Sequence, residues 1–391
     1  MFINRSLEAF FRKLKPHYPI LAIVGPRQSG KTTFLKSEID DKADYLSFDI
    51  PDIREQFDLD IKLFERKYLR EGKPAILDEV QNAENPGQKL KYMADNGKIL
   101  WITGSSEILL SANILSFLVG RVSILRLYPF NLEELLRAKG QIIYTPAILA
   151  RETEEHLIYG GYPKIVLTGE YEVKKKMLQD LYETMILKDI KQTFSIEDHV
   201  SLEKLSYYFA VNTGTQLSIE NVSQIIGLSY QTIKKYLDAM EKSYLLYFAK
   251  PYFTNKTREL IKQPKVYFLD TGLRNAIRRN YDIDGNGFEN YVVTELIKAG
   301  FKPKYWRTKT KLEVDIVIEK DNEIIPIEVK LSETKVSSAL KSFINDYNPK
   351  RAYIAVLRGE IISYNISGCT VKMLHIGEIL NELTGTILPP Q

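Results

Sequence analysis

The sequence predicts an α/β protein of several domains, and three observations lead to this prediction. The apolar run PILAIV at 19–24 is typical of a buried strand, and it enters a glycine-rich loop followed by TFLKSEID, which can begin a helix. Apolar residues recur at three- and four-residue spacing through residues 130–200, as they do in helices. Two strand-like segments, EVDIVIE at 313–319 and IPIEVK at 325–330, follow an amphipathic helix near the C-terminus. With 391 residues, the chain has room for two or three domains.

The composition is that of a soluble globular protein, with 44% hydrophobic and 27% charged residues. The 54 Lys and Arg against 50 Asp and Glu give a net charge of only +4, so any basic surface must be local. The single cysteine, Cys369, excludes an internal disulfide framework, and the four histidines lack the spacing of a zinc site. The N-terminus has no signal-type apolar core, and no apolar run approaches membrane-spanning length. We therefore expect a cytoplasmic protein that does not insert into a membrane.

The loop after PILAIV reads GPRQSGKTT and meets the pattern G-x-x-x-x-G-K-[ST]. Glycines let backbone N–H groups surround a phosphate, and the following helix contributes its positive N-terminal end. Lys31 would reach the β- and γ-phosphates, and the Thr32 hydroxyl would help to hold Mg²⁺. We predict a nucleotide-binding loop that contains Gly25, Gln28, Ser29, Gly30, Lys31, Thr32 and Thr33. The alternative is a glycine-rich turn that precedes a lysine by chance.

A second segment, KPAILDEVQ at 73–81, supplies two acids at the end of an apolar run. Asp78 would orient Mg²⁺ through its water shell, and Glu79 would polarise the attacking water. The alternative is a strand that ends in two solvated acids. Together with the loop at 25–32, however, the pair indicates phosphoryl transfer.

Two later segments carry side chains that can complete such a site. The strand-like KILWITGSS at 98–106 ends in hydroxyl residues, so Thr103 or Ser105 would sense the γ-phosphate. Arg121 follows a glycine and precedes another apolar strand, where its guanidinium could reach a phosphate on its own or on a neighbouring subunit. The alternative for Arg121 is a surface ion pair with an acid such as Glu133 or Glu134. A contribution across subunits would require a homo-oligomer.

Several segments together resemble a group of prokaryotic AAA+-type P-loop ATPases that carry a C-terminal domain of uncharacterised function. These segments are GPRQSGKTT, the LSFDIPD around Asp49, ILDEVQ, ITGSSEILL, LVGR, LYPFNLEE and GGYP. The resemblance implies a RecA-like core with parallel strands at 1–135, with ATP and Mg²⁺ as ligands. It also implies for Lys31, Thr32, Asp78 and Glu79 the roles given above.

The middle of the chain is predicted to contain a helical lid at 136–200 and a winged helix-turn-helix at 201–275. In the second of these, Ser218 would cap a short helix and GLS would turn the chain into a second helix. The predicted core positions are Ile225, Ile233, Leu237 and Met240. The side chains placed for DNA contact are Tyr230, Gln231, Lys234 and Lys235, with Lys250, Lys256 and Arg258 along the wing. DNA is one candidate partner, and the alternative is a domain that only packs between ATPase and tail.

The last segment, 276–391, contains three acids and a lysine whose spacing suggests a metal site with a base. Glu289 lies on an amphipathic helix, Asp315 lies in EVDIVIE, and Glu328 and Lys330 flank one valine in IPIEVK. Alternation along a strand puts Glu328 and Lys330 on one face, where they can meet Asp315 on the adjacent strand. Asp315 and Glu328, helped by Glu289, would hold Mg²⁺ near a phosphodiester while Lys330 steadies the attacking water.

This arrangement resembles the PD-(D/E)xK nuclease superfamily, which includes restriction endonucleases and archaeal Holliday-junction resolvases. The resemblance implies a restriction-endonuclease-like α/β domain with Glu289, Asp315, Glu328 and Lys330 as its catalytic set. The alternatives are an α/β domain whose acids pair with lysines, and a folded but inactive nuclease-like module. Two functions follow as hypotheses: an ATPase that acts on DNA with a nuclease tail, or a nucleotide-controlled switch whose tail binds a protein partner.

Overall fold

The computed structural model describes residues 3–39, 44–105, 112–140, 145–184, 190, 198–253, 262–332, 335–359 and 361–385. The chain forms two compact units. The first contains Met1–Phe130 and Lys242–Tyr244, and the second contains Asn131–Glu241 and Leu245–Gln391. The finer division at residues 135, 200 and 275 stays a prediction. No helix among these residues is both long enough and apolar enough to cross a membrane.

The first unit is built on a five-stranded sheet. Its strands are β1 (Ile20–Val24), β2 (Asp44–Ser47), β3 (Pro74–Asp78), β4 (Ile99–Gly104) and β5 (Val122–Arg126). Its helices are α1 (Glu8–Leu14), α2 (Lys31–Ser37), α3 (Pro51–Leu59), α4 (Ile61–Tyr68), α5 (Pro86–Asp95) and α6 (Ala112–Leu115). The strands lie in the order β2-β3-β4-β1-β5, and every neighbouring pair is parallel. The carboxyl ends of all five strands therefore meet at one edge, where α/β sheets bind their ligands.

The core of this unit explains why the apolar runs form strands. All five residues of β1 are buried, as expected for a central strand covered on both faces. Phe11 of α1 packs edge-on against Phe34 of α2, with 5.2 Å between ring centroids, and against Trp101 of β4 at 5.1 Å. These contacts hold α2, and with it the loop that precedes α2, against the sheet.

The second unit begins with helices and continues into two further sheets. Its helices are α7 (Leu132–Ala138), α8 (Pro146–Tyr159), α9 (Pro163–Val166), α10 (Tyr171–Thr184), α11 (His199–Val211), α12 (Ile219–Ile226), α13 (Tyr230–Lys242), α14 (Thr271–Arg278), α15 (Gly285–Lys298), α16 (Ser338–Tyr347) and α17 (Ile376–Thr384). Its strands are β6 (Leu246–Ala249), β7 (Lys265–Phe268), β8 (Lys304–Arg307), β9 (Glu313–Lys320), β10 (Glu323–Lys330), β11 (Arg351–Val356), β12 (Ile362–Ile366) and β13 (Cys369–His375). Strands β6 and β7 pair antiparallel, and the other six form a mixed sheet in the order β12-β13-β11-β10-β9-β8. The α/β class is confirmed, with a parallel sheet and a separate mixed sheet.

Helices α12 and α13 lie where the sequence predicts two helices joined by a turn, and their assignment to a winged helix-turn-helix stays a prediction. The Ser218 hydroxyl accepts a hydrogen bond from the Asn221 amide at 3.3 Å, and Gly227 ends α12 with φ +80°. Ile233 is buried, as are Leu237 and Met240 on the same face of α13. Glycine suits the left-handed position that turns the chain toward α13.

One core prediction in this pair is wrong. Ile225 is 62% exposed. The buried stripe of α12 instead follows Val222, with Ile219 and Ile226 packed beside it, because these positions are three and four residues apart. Ile225 lies next to that stripe and faces solvent.

The residues placed for DNA contact are exposed at the start of α13: Tyr230, Gln231, Lys234 and Lys235. Lys250 is also exposed, just beyond β6, whereas Lys256 and Arg258 lie outside the described residues. Strands β6 and β7 follow α13 as a two-stranded sheet, and their role as a wing stays a prediction.

The mixed sheet has its own apolar core. Trp306 of β8, Val314 and Val317 of β9, and Phe343 of α16 belong to one buried cluster. Strand β10 pairs antiparallel with β9 through Ile327↔Ile316 and parallel with β11. The amphipathic helix and the two strands expected near the C-terminus are present as α15, β9 and β10, with β8 between the helix and β9, and the nuclease-like assignment stays a prediction.

Candidate functional site

The loop between β1 and α2 has a backbone that suits glycine at two positions. Gly25 has φ +154°, and a Cβ at this residue would lie 2.1 Å from the carbonyl oxygen of Leu127. Gly30 precedes α2 with φ +94°, and Gln28 also has a positive φ, at +58°. Any side chain at residue 25 would therefore collide with the chain that leaves β5.

Two polar side chains of this loop, those of Lys31 and Ser29, are buried. Lys31 is only 6% exposed, and its Nζ donates to the carbonyl oxygens of Gly25 and Pro26 at 2.9 Å each. Ser29 is fully buried, and its hydroxyl has no hydrogen-bond partner among the described residues. Gln28 and Thr33 are exposed. A buried hydroxyl of this kind is costly unless a ligand or water satisfies it.

Asp78, at the carboxyl end of β3, is the centre of the site. Its Oδ1 accepts hydrogen bonds from the hydroxyls of Thr32 at 2.9 Å and Thr103 at 2.5 Å. Its Oδ2 accepts from the phenol of Tyr45 at 2.7 Å. Burial, followed by the hydrogen bond to Asp78, raises the pKa of Tyr45 to about 12, so the phenol keeps its proton at neutral pH. Three strands and the loop helix thus contribute one side chain each to this cluster.

Glu79 is held beside Asp78 by backbone and side-chain contacts. It adopts left-handed backbone angles, φ +56° and ψ +41°. Its amide donates to the Thr103 hydroxyl at 3.0 Å, and its Oε2 accepts from the Ser105 amide at 3.3 Å and from the Gln81 side chain. A non-glycine residue in this conformation is uncommon and marks a functional or strained position.

Thr103 and Ser105, the two candidates for contact with the γ-phosphate, have different contacts in the structure. Thr103 is fully buried, and its hydroxyl joins the Asp78 carboxylate to the Glu79 amide. Ser105 contacts Glu79 through its backbone amide instead. Thr103 is therefore placed to orient both acids.

Arg5 supports the loop from the N-terminal segment, and sequence reasoning missed this residue. This residue is 6% exposed, and its guanidinium donates to the carbonyl oxygens of Ser29 at 2.8 Å and Tyr128 at 2.6 Å. It also lies 4.9 Å from the ring centroid of Phe130. A buried cation beside the loop adds to the positive potential that phosphates require.

These residues fit a nucleotide with Mg²⁺. At residue 25 the loop passes so close to the carbonyl of Leu127 that only glycine is accommodated. The Thr32 hydroxyl and the Asp78 carboxylate, joined at 2.9 Å, are oxygen ligands of the type that Mg²⁺ prefers.

Arg121 lies at the opposite edge of the sheet. Its carbonyl accepts from the amide of Ile20, the first residue of β1, whereas the phosphate loop follows the last. Its Nε and Nη2 donate to Asp95 at 2.6 and 3.3 Å, so Arg121 forms a surface ion pair with an acid, as the alternative for this residue expects, and the acid is Asp95. Only a phosphate on another subunit is consistent with the finger role for Arg121. The arginine of β5 that the register places beside the loop is Arg126, opposite Val24.

The acidic cluster of the second unit centres on a lysine that sequence reasoning missed. Lys265, at the start of β7, is buried and donates to Glu289 at 3.0 Å and pairs with Glu313 at 2.6 Å. Burial alone would lower the pKa of Lys265, but the two carboxylates outweigh it and raise the pKa above its usual value. Tyr267 donates to the same Glu289 oxygen at 2.5 Å, and its own pKa is raised, mainly by burial.

The other three predicted tail residues have separate surroundings. Asp315 Oδ2 accepts from the Val329 amide at 2.8 Å, and burial together with the charge of Glu289 raises the pKa of Asp315 to about 7. Glu328 is 2% exposed and accepts from the hydroxyl of Ser337. Lys330 has no hydrogen bond or ion pair to the part of the chain that the structure describes.

This arrangement does not fit a divalent metal ion. Within the described residues, no group of three or more His, Cys, Asp or Glu side chains is placed to hold one. The carboxylates of Glu289 and Glu313 already bind the Lys265 ammonium. No chemical step through a metal is derived for this cluster.

Three family models match the chain. Residues 17–136 match the model described as AAA domain. Residues 150–283 and 284–376 match two models that are each described as a domain of unknown function, DUF8612 and DUF4143. The first match supports a P-loop ATPase family for the N-terminal unit and, with it, nucleotide binding.

Curated relatives cover much of the chain. An uncharacterized protein of Haemophilus influenzae is 30% identical over 263 residues, which is 65% of this chain and 64% of that protein. An uncharacterized protein of Methanocaldococcus jannaschii is 27% identical over 390 residues, covering 94% of this chain and 86% of the relative. The chain thus spans less than two thirds of the Haemophilus influenzae protein.

Solved structures are more distant. A STAND ATPase with a tetratricopeptide repeat sensor from Pyrococcus horikoshii gives a TM-score of 0.32 at 13% identity, covering 76% of this chain and 45% of its own. The DNA clamp loader delta protein of Bacillus subtilis gives 0.27 at 13% identity, covering 66% of this chain and 91% of its own. Such TM-scores add nothing to the argument from the site.

Proposed function

We propose that the protein is a Mg²⁺-dependent ATPase whose active site lies at the carboxyl edge of the parallel sheet. The observation that carries this proposal is the cluster at Asp78. There the helix after the phosphate loop, through Thr32, and the third strand along the chain, through Asp78, meet directly at 2.9 Å. The AAA domain match over residues 17–136 supports the same conclusion independently.

In this proposal, backbone N–H groups of the loop bind the ATP phosphates, and Lys31 neutralises their charge. Thr32 and Asp78 would hold Mg²⁺, which supplies electrostatic stabilisation of the transferred phosphoryl group when bound. Glu79 takes the proton of a water whose oxygen attacks the γ-phosphorus. The bond to the β–γ bridging oxygen breaks, and ADP and phosphate leave. Thr103 orients both acids, since its hydroxyl contacts each residue.

Two variants test the proposal. Lys31→Ala is expected to weaken ATP binding, and Glu79→Gln to retain binding while turnover falls on the order of 100-fold or more. Matched controls are Lys91→Ala and Glu84→Gln, because both side chains are exposed. Phosphate release and fluorescent-nucleotide titration measure the two effects. Unchanged hydrolysis in either site variant would refute the assigned roles.

A second function, DNA binding, is favoured by the exposed start of α13. Tyr230 and Gln231 precede two lysines, Lys234 and Lys235, and the same face carries no acidic residue in its first two turns. Side chains at this position of a helix-turn-helix contact bases and phosphates in DNA-binding proteins. We propose that this surface binds duplex DNA.

Fluorescence anisotropy at several salt concentrations tests the DNA proposal. Affinity is expected to fall with salt, and Lys234→Ala is expected to reduce the slope of log K against log salt by about one unit. Lys204→Ala on α11 is the control, since this lysine is equally exposed outside the proposed surface. No affinity at low salt would exclude DNA and leave a protein partner for the ATPase cycle.

A further inference from the structure

We infer that the acidic cluster of the C-terminal sheet is built around the ammonium of Lys265, which takes the place that a divalent cation would need. The domain then resembles a metal-dependent nuclease in the order of its elements but does not cleave DNA. This inference concerns the tail alone and does not depend on ATP hydrolysis by the first unit.

The ammonium of Lys265 is bound on two sides. Its side chain is 3% exposed, and Nζ lies 3.0 Å from Glu289 Oε1 on α15 and 2.6 Å from Glu313 Oε1 on β9. A helix and a strand of the nuclease-like arrangement are therefore joined through one cation. Removing a buried lysine from two carboxylates would leave both charges uncompensated.

Two further groups donate hydrogen bonds to the carboxylates that bind the ammonium. The Tyr267 phenol donates to Glu289 Oε1, the oxygen that also accepts from Lys265. Arg307 donates to the second oxygen of Glu313 at 3.1 Å. Two carboxylates thus face two cations and a phenol, so their charge is balanced within the protein. A divalent ion in the same place would repel the ammonium at close range.

Asp315 and Glu328 have structural contacts that explain their presence without a metal. The backbone pairing of β9 with β10 ends at Ile327↔Ile316, and beyond it Asp315 Oδ2 accepts a hydrogen bond from the Val329 amide at 2.8 Å. The side chain of Asp315 therefore continues the ladder. Glu328 accepts from Ser337, whose hydroxyl also caps α16 through the Leu340 amide at 3.0 Å. These acids tie a strand and a helix to the sheet.

Metal binding by the full-length protein tests whether the acidic cluster binds a divalent ion or only the Lys265 ammonium. Mn²⁺ titration, followed by electron paramagnetic resonance without nucleotide, is expected to give the same stoichiometry for the wild type and for Asp315→Asn. Any weakly bound Mn²⁺ is expected to be lost in Asp78→Asn instead. One Mn²⁺ per chain that is lost in Asp315→Asn but kept in Asp78→Asn would overturn the inference.

A second variant asks whether the ammonium excludes the metal. Lys265→Met keeps the length of the side chain and removes its charge, so its Tm is expected to fall and to rise again on addition of Mn²⁺. The double variant Lys265→Met, Glu289→Gln is expected to lose this response. A Lys265→Met protein with wild-type Tm and no response to Mn²⁺ would contradict the role of the ammonium.

Cleavage assays test, independently of metal binding, whether the C-terminal domain cleaves DNA. Labelled single-stranded, duplex and branched DNA are expected to stay intact with Mg²⁺ or Mn²⁺, with and without ATP. Cleavage that disappears in Asp315→Ala would overturn the inference while leaving the ATPase proposal untouched. Loss of ATP hydrolysis in Glu79→Gln, in turn, carries no information on the tail.

Discussion

At the scale of single residues, Thr103 joins the two acids of the candidate ATPase site. Its hydroxyl donates to Asp78 and accepts from the Glu79 amide. We expect Thr103→Val to lower kcat on the order of 10- to 100-fold, as loss of an orienting partner does, with little change in ATP affinity. Thr103→Ser keeps the hydroxyl and is expected to retain most activity. Steady-state phosphate release and nucleotide titration measure the two quantities.

The two Thr103 variants separate positioning from folding. A merely structural role would lower stability and activity together in Thr103→Val, and ATP affinity would fall with them. Equal activity of Thr103→Val and the wild type would show that the contact to Asp78 does not orient the acid.

His375, at the start of α17, is expected to make the free energy of unfolding depend on pH. Burial lowers the pKa of His375 from about 6.5 to about 4, so between these values the unfolded chain binds more protons than the folded one. The free energy of unfolding is therefore expected to fall as pH drops from about 6.5 to about 4, by about 3 kcal/mol, and to level off below pH 4.

The matched comparison is His375→Gln, measured by urea unfolding at several pH values. Buried acids such as Asp270 and Glu295, whose pKa values are raised by burial, shift stability in the opposite direction but are common to both proteins. The difference between wild type and variant isolates the histidine. A difference that does not change with pH would show that His375 is not buried as a neutral ring.

At the scale of elements, the turn after α8 contacts the start of α14 so closely that residue 160 accommodates only glycine. Asp270 precedes α14, and its carboxylate accepts from the amides of Gly161 at 2.8 Å and Leu273 at 3.0 Å. Gly160 has φ +71°, and a Cβ there would lie 2.1 Å from Asp270 Oδ1. The carboxylate therefore caps one helix and binds the turn after the other.

Gly160→Ala is expected to destabilise the protein well beyond backbone strain. Gly140→Ala is the matched control, because Gly140 has φ +69° but nothing within 4 Å of its Cβ position. We expect about 1 kcal/mol for the control from strain alone, and roughly 2 kcal/mol more at Gly160 from the collision. Urea unfolding measures both. Equal losses would show that Asp270 moves aside at no cost.

The elements also show what the sequence could predict. Asp78 and the phosphate loop were predictable together because both follow apolar strands, and carboxyl ends of parallel strands share an edge. Ile225 was misassigned because a two-turn helix leaves its buried stripe uncertain by one position. Lys265 and the Gly160–Asp270 contact were missed for another reason: their partners lie 24 and roughly 110 residues away, and no local period encodes such contacts.

At the scale of the whole molecule, the three family models follow one another along the chain, and only the first has a functional description. The net charge of +4 gave no indication of a partner, and the structure shows why. Charges compensate one another locally, as at Lys265 between Glu289 and Glu313. Function in this chain therefore has to be argued from individual sites, and the overall charge balance is a poor guide to it.

Assembly is the property of the whole molecule that Arg121 can test. Its guanidinium pairs with Asp95 at the amino edge of the sheet, away from the phosphate loop of its own chain. If it acts on a neighbouring subunit, Arg121→Ala and Lys31→Ala are each expected to be inactive. An equimolar mixture is expected to recover about a quarter of the wild-type ATP turnover, because half the loops would have Lys31 and half of those a neighbour with Arg121.

Asp95→Asn breaks the ion pair but keeps the arginine, so it should stay active if the finger role is right. A monomer with full activity, or an Arg121→Ala protein that keeps the ATP turnover of the wild type, would leave Arg121 as no more than a surface ion pair.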